Sequence, residues 1–178
     1  MRIIAGLAKG RRLFAPKSLD IRPTGDRTRE NLFNILMPRI CGARFLDLFC
    51  GSGANGIEAL SRGADHATFI DKDAAALRIT RRNLELCRLS VDSVIVKASI
   101  PEQLERQPQP FDIIFADPPY AYQGYELLLT TLLDKGFLDE NGVAIMETSH
   151  KTVLPDSVGA LRQQQCRRYG DTALAFYA

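Results

Sequence analysis

The chain has 178 residues, 46% of them hydrophobic and 25% charged, which is enough apolar material for one globular domain and too much for a disordered segment. No stretch approaches the roughly 20 consecutive apolar residues of a transmembrane helix, so a cytoplasmic protein away from the membrane is expected. The net charge is only +2, but residues 1–44 hold ten Lys/Arg against three Asp/Glu, a net +7, whereas the remainder carries −5. Such a basic arm on an acidic body suits a phosphate backbone, and it reads equally as a solvated charged face.

Residues 2–5 and 11–15 alternate enough to form a short hairpin around Gly6 and Gly10, with Lys9, Arg11 and Arg12 near its turn. Asp26 then serves as the N-cap of a helix over 26–37, stopped by Pro38. On it Leu32, Ile35 and Leu36 form an apolar stripe and Arg27, Glu30, Asn31 and Asn34 a polar one.

From residue 45 strands and helices alternate. Strands are expected at 45–48, 66–71, 93–97, 111–116 and 142–148, with helices at 55–62, 74–87, 101–107 and 124–134, a βαβ rhythm that implies a parallel sheet. Residues 161–168, a turn at Gly170-Asp171 and residues 172–177 read as a closing antiparallel hairpin. With no repeat or low-complexity tract, residues 1–178 are expected to form one domain: a basic hairpin-and-helix extension over 1–40 and a Rossmann-like core over 41–178.

Two motifs at strand ends carry the chemistry. The strand 45–48 runs into Cys50-Gly51-Ser52-Gly53-Ala54-Asn55-Gly56, whose glycines let a ligand approach main-chain N–H groups at a helix start. Asp71 ends the next strand, where a doubly wound fold places the acid that grips a ribose. Asp47, just before the loop, would repel a pyrophosphate and attract an ammonium or sulfonium, and S-adenosylmethionine carries both cations. The second motif, Asp117-Pro118-Pro119-Tyr120, leaves the buried strand 111–116: the Asp117 carboxylate and Pro118 carbonyl are acceptors suited to the two hydrogens of an exocyclic amine, and Tyr120 offers a ring for stacking. The cysteines (41, 50, 87, 166) and histidines (66, 150) are dispersed, so reduced thiols and no metal site are expected.

Together with Met1-Arg2-Ile3-Ile4-Ala5-Gly6, Gly10-Arg11-Arg12-Leu13 and Arg22-Pro23-Thr24-Gly25-Asp26-Arg27-Thr28-Arg29-Glu30-Asn31-Leu32-Phe33-Asn34-Ile35-Leu36, these motifs make the sequence resemble the bacterial 16S rRNA guanine-N2 methyltransferases of the RsmD type along its whole length. The resemblance implies an α/β, class I S-adenosylmethionine-dependent methyltransferase fold with a closing antiparallel hairpin and a small N-terminal extension. It also implies a monomer acting on 16S rRNA or a small-subunit assembly particle, without metal. Carried onto this sequence, the catalytic residues are Asp117, Pro118, Pro119 and Tyr120. The cofactor-binding residues are Asp47, Phe49, Gly51, Ser52, Gly53, Asp71, Lys72, Ala98, Ser99 and Asp117, and the RNA-binding residues are Lys9, Arg11, Arg12, Thr24, Arg27 and Arg29. One position departs from the family pattern: where an Asp or Asn commonly meets the adenine amino group this chain has Lys97-Ala98-Ser99, which leaves backbone groups and the Ser99 hydroxyl for that contact. The same motifs leave open an N6-adenine or glutamine-N5 methyltransferase, or a catalytically silent RNA-binding module.

Overall fold

In the computed structural model, which describes residues 1–15, 23–106 and 108–178 (the side chains of residues 23 and 24 excepted), the elements alternate as the βαβ rhythm predicts. The order is α1 (Pro23–Ile40), β1 (Arg44–Leu48), α2 (Ala54–Ser61), β2 (His66–Asp71), α3 (Ala74–Cys87), β3 (Ser93–Lys97), β4 (Phe111–Ala116), α4 (Tyr125–Asp134), β5 (Leu138–Ser149), β6 (Ser157–Val158), β7 (Leu161–Tyr169) and β8 (Thr172–Tyr177). They build an eight-stranded sheet in the order β3-β2-β1-β4-β5-β8-β7-β6. The first five strands are parallel, and β8, β7 and β6 close the sheet antiparallel.

Apolar side chains cover both sheet faces, as the mostly hydrophobic runs of β1 and β4 require. Leu32, Phe33, Phe45, Phe69, Phe115, Ile145 and Phe176 belong to the core against α1, α2 and α3. Leu46, Ile114, Leu128, Leu132, Met146 and Tyr177 belong to the other, against α4. The strand order reverses between β1 and β4, so the crevice at their carboxyl ends is where an open α/β sheet receives a ligand.

Three expectations are corrected. The bounds of α1 differ at both ends: it starts at Pro23, so Asp26 lies in its first turn rather than at the N-cap, and Pro38 does not stop it short of Ile40, because in the last turn the missing N–H withdraws only the bond to the carbonyl of Asn34, an exposed residue open to solvent. No helix forms at 101–106 (residue 107 lies outside the described residues). Residues 101–103 make a turn, closed by Leu104 N–H to Pro101 O at 3.1 Å, that suffices to bury Leu104, 1% exposed, in the core against α4. The expected N-terminal hairpin shrinks to one antiparallel bridge, Arg2 to Arg12, flanked by Ile3 N–H to Arg11 O at 3.0 Å and Gly10 N–H to Ile3 O at 2.8 Å.

This short loop is held by the core rather than by its own ladder. The fully buried Glu58 carboxylate of α2 accepts from Ile4 N–H at 2.8 Å and Ala5 N–H at 3.0 Å, and Arg62 neutralises it at 2.7 Å. Gly6 has φ +79°, and a Cβ there would lie 1.6 Å from the Ser61 carbonyl oxygen, so the close approach admits only glycine. Asn83 of α3 bonds both the N–H and the carbonyl of Phe14, at 2.8 and 3.0 Å. The outcome for the site is positional: Met1 is brought to the wall of the β1–β4 crevice.

Candidate active site

The glycine loop begins in strain. Phe49, directly after β1, adopts φ +56°, a left-handed conformation rare for an aromatic residue and typical of ligand sites. It packs edge-on to Tyr122, with centroids 5.3 Å apart, and Tyr122 packs in turn on Tyr125 at 5.2 Å, so an aromatic brace supports the crevice floor. Two carboxylates clamp the loop from either side. Asp47 accepts the Gly56 N–H at 2.9 Å, and Asp71 accepts from Gly51 N–H and Asp73 N–H, one on each oxygen, both at 2.9 Å. A Cβ on Gly56 would fall 2.3 Å from the Phe69 ring, so this glycine lets α2 settle against β2.

Above the loop lies a cavity of about 580 Å³ whose wall includes four carboxylates, Asp47, Asp71, Asp117 and Glu147. Burial raises the Asp47 carboxyl well above the usual range against the pull of its Gly56 bond, and the charges of Asp117 and Asp71 add to the rise. Asp117 opens onto the cavity, where solvent reaches it, but protein packs densely around its other sides, and that desolvation lifts it to about 6. Glu147 is raised by burial and by Asp117, and lowered by Arg29. Facing one cavity, the raised carboxyls of Asp47, Asp117 and Glu147 would be favoured in their ionised form by a cation placed among them. The Cys50 thiol is pushed up by burial and by Asp47 and Asp71, so it stays protonated and takes no part as a nucleophile. Among the described residues no group of three or more His, Cys, Asp or Glu side chains is placed to hold a metal ion.

The second motif leaves β4 at the cavity mouth. Asp117 N–H reaches back to Leu48 O at 3.4 Å, Pro118 is buried, Pro119 is exposed, and Tyr120 stands 82% exposed at the rim. Tyr122 N–H closes the turn onto Pro119 O at 2.8 Å, and the Tyr125 hydroxyl donates to Thr148 Oγ1 at 3.0 Å, tying α4 to β5 below.

The cavity gathers Asp47, Phe49, Gly51, Ser52, Asp71, Asp117, Pro118, Pro119 and Tyr120 from the predicted set. Gly53, Lys72, Ala98 and Ser99 are not in its wall. Lys72 is exposed, and the Ser99 N–H is taken by Gln103 Oε1 at 2.9 Å. Lys9 and Arg27 meet in a separate surface groove with Arg2, Asp26 and Glu30, and Arg11 and Arg12 are exposed beside it. The side chain of Thr24 lies outside the described residues. Arg29 stands apart from these exposed cations: it is 6% exposed in the cavity wall, donating to Asp26 Oδ1 and to Arg2 O at 2.7 Å each. The helical period hid this, because Arg29 belongs to the apolar face beside Leu32 and Phe33 rather than to the polar stripe. Glu147 was missed altogether, although a lone acid at the end of the apolar run Val143-Ala144-Ile145-Met146 was the signal for it.

A family model described as conserved hypothetical protein 95 matches residues 1–178. A relative from Haemophilus influenzae, named ribosomal RNA small subunit methyltransferase D, is 40% identical over 83% of this chain and 78% of its own length. The chain belongs to the RsmD family. The solved structure of YhhF from Escherichia coli, 36% identical, superposes with a TM-score of 0.88 over 99% of this chain and 96% of its own. A more distant neighbour, a Streptococcus mutans protein solved with S-adenosylhomocysteine, has a TM-score of 0.69 over 84% of this chain and 48% of its own. At 17% identity that likeness concerns the fold alone, which is the S-adenosylmethionine-dependent methyltransferase fold that the strand order also describes. As an RsmD family member the chain has a methyltransferase core, and no described helix is long and apolar enough to cross a membrane.

Proposed function

We propose that this protein transfers a methyl group from S-adenosylmethionine to the exocyclic N2 of a guanine in small-subunit rRNA. The observation that carries the reading is the Asp117 carboxylate, open to the cavity with no side-chain hydrogen bond of its own among the described residues, between the carboxylate-lined floor and the exposed Tyr120 ring. The cofactor fits the donor set: the carboxylates Asp47, Asp71 and Asp117 suit a ligand with two positive groups, and the Asp71 oxygens, each accepting one N–H, keep lone pairs for ribose hydroxyls. When bound it would supply a methyl on a sulfonium, whose sulfur keeps the bonding pair as the methyl leaves.

The protein's part is to position and to stabilise charge. An exocyclic amine conjugated to a purine is a poor nucleophile, so Asp117 and the Pro118 carbonyl accept its two N–H bonds, favour a pyramidal nitrogen and stabilise the positive charge that develops there. Tyr120 stacks on the base and fixes the approach. The amine becomes acidic only after the new N–C bond forms, and its proton then passes to Asp117 or to water, so no histidine is required. The exposed cations Lys9, Arg11, Arg12 and Arg27 stand on the same N-terminal arm whose first residue borders the cavity, which suits delivery of an RNA strand to it.

The test is nucleoside mass spectrometry of small-subunit rRNA from a strain lacking the gene, with naked rRNA and small-subunit particles from that strain as substrates for the purified protein. One N2-methylguanosine should disappear in the cell and return in vitro. A missing N6-methyladenosine, or unchanged rRNA, would refute the reading.

A further inference from the structure

Two of the four cavity carboxylates are committed to the loop: Asp47 and Asp71 spend oxygens on Gly56, Gly51 and Asp73. The other two, Asp117 and Glu147, have no hydrogen-bond partner among the described residues, although both line the cavity. They are also neighbours. Ala116 pairs with Met146 in the parallel register of β4 and β5, so Asp117 and Glu147 come next on strands about 4.8 Å apart. Ala116 and Met146 point into the core beneath α4, so alternation turns Glu147 to the opposite face, where α1 lies. There Arg29, 6% exposed, has an Nε with no hydrogen-bond partner. Glu147 thus stands between the amine-accepting motif and a fixed positive charge.

Guanine presents N2–H and N1–H donors side by side and the O6 acceptor next to them, whereas adenine presents an amine beside an unprotonated N1. Resting on the reading above, we infer that Glu147 is the specificity residue of the site, accepting the N1–H of the target guanine while Asp117 accepts N2–H. An adenine in the same pose would set its N1 lone pair against a carboxylate with no proton between them, and the loss of a buried charged hydrogen bond is the strongest discrimination a base pocket offers. Arg29 acts here as a positioning residue, since its charge opposes the rise that burial and Asp117 impose on the Glu147 carboxyl.

The test compares wild type with Glu147→Gln on an rRNA fragment bearing either guanine or 2,6-diaminopurine at the target position. The analogue keeps the N2 amine but has no N1 proton. Wild type should prefer guanine by at least about 100-fold in kcat/KM. In Glu147→Gln, whose amide can donate to the bare N1, the preference should shrink at least tenfold while cofactor affinity stays within about threefold. Glu147→Asp, which keeps the charge and serves if the amide variant does not fold, should retain the preference with a lower kcat. An unchanged preference in Glu147→Gln, with N2-methylguanosine still formed by wild type, would overturn this inference alone. A loss of cofactor affinity matching the loss of turnover would reassign Glu147 to the cofactor and overturn it likewise. Absence of N2-methylguanosine with wild type would remove both this inference and the reading beneath it.

Discussion

The Asp71 carboxylate accepts the Gly51 N–H at 2.9 Å, joining the end of β2 to the glycine loop that leaves β1. One side chain therefore shapes the loop and still offers lone pairs to a ligand. Asp71→Ala should weaken S-adenosylmethionine binding by about 10- to 100-fold, since hydrogen bonds to a charged acceptor contribute on the order of 1.5–3 kcal/mol each. Asp71→Asn, which keeps one acceptor oxygen, should lose less. Isothermal calorimetry on both variants checks this, and unchanged affinity in both would remove Asp71 from the cofactor site.

Asp117 should matter to turnover far more than to folding. Its carboxyl sits at about 6, above its ordinary 3.8, so ionisation is disfavoured in the folded protein: its contribution to stability falls as pH rises from about 4 through 6. Asp117→Asn removes that cost and should melt at or slightly above the wild-type temperature at pH 7.5. Single-turnover methylation should nevertheless fall by about 100-fold or more, because the amide opposes one N–H with a donor. Near-normal turnover in this variant would require another acceptor for the amine.

The raised carboxyls also predict a proton signature. A cation entering the cavity favours ionised Asp117 and Asp47, so cofactor binding should release protons where these groups are still partly protonated. At pH 6 Asp117 is about half protonated, so it can release up to about half a proton per cofactor, a contribution that shrinks toward pH 8. Calorimetry in two buffers of different ionisation enthalpy measures this directly. Proton uptake, or none at either pH, would contradict the charge arrangement.

The parallel sheet was legible because β1 and β4 are buried on both faces and so read as mostly apolar runs, interrupted only by one aspartate each, and because the glycine loop and Asp117-Pro118-Pro119-Tyr120 sit at strand ends, where local sequence states local geometry. Glu58 was not legible. Nothing near it in the chain shows that it caps Ile4 and Ala5, more than fifty residues away, and the brevity of the N-terminal bridge follows from that long-range substitute for ladder bonds. Arg29 and Glu147 were obscured for a related reason. Each is a charge on an apolar face, and only the packing of α1 across the end of β5 shows that the two border one cavity.

The N-terminal arm sets up the remaining prediction. Arg11 and Arg12 are exposed, and neither has a side-chain hydrogen bond or ion pair to an acid among the described residues, whereas the cavity wall contains only Arg29 as a basic side chain. Phosphate contacts release counterions and so govern the salt dependence of binding without reading bases. Replacing Arg11 and Arg12 together by Gln should weaken binding to small-subunit particles and to naked rRNA and lower the slope of log K against log salt by roughly one to two. Cofactor affinity should not change, because neither side chain borders the cavity. The buried side of the arm gives the control: Ile3 and Leu13 pack in the core, so the double variant should keep its melting temperature and any change in slope is a matter of charge. Slopes identical to wild type in both substrates would make Arg11 and Arg12 a solvated basic face, and leave only the groove where Lys9 and Arg27 meet as the arm's contribution to the RNA path.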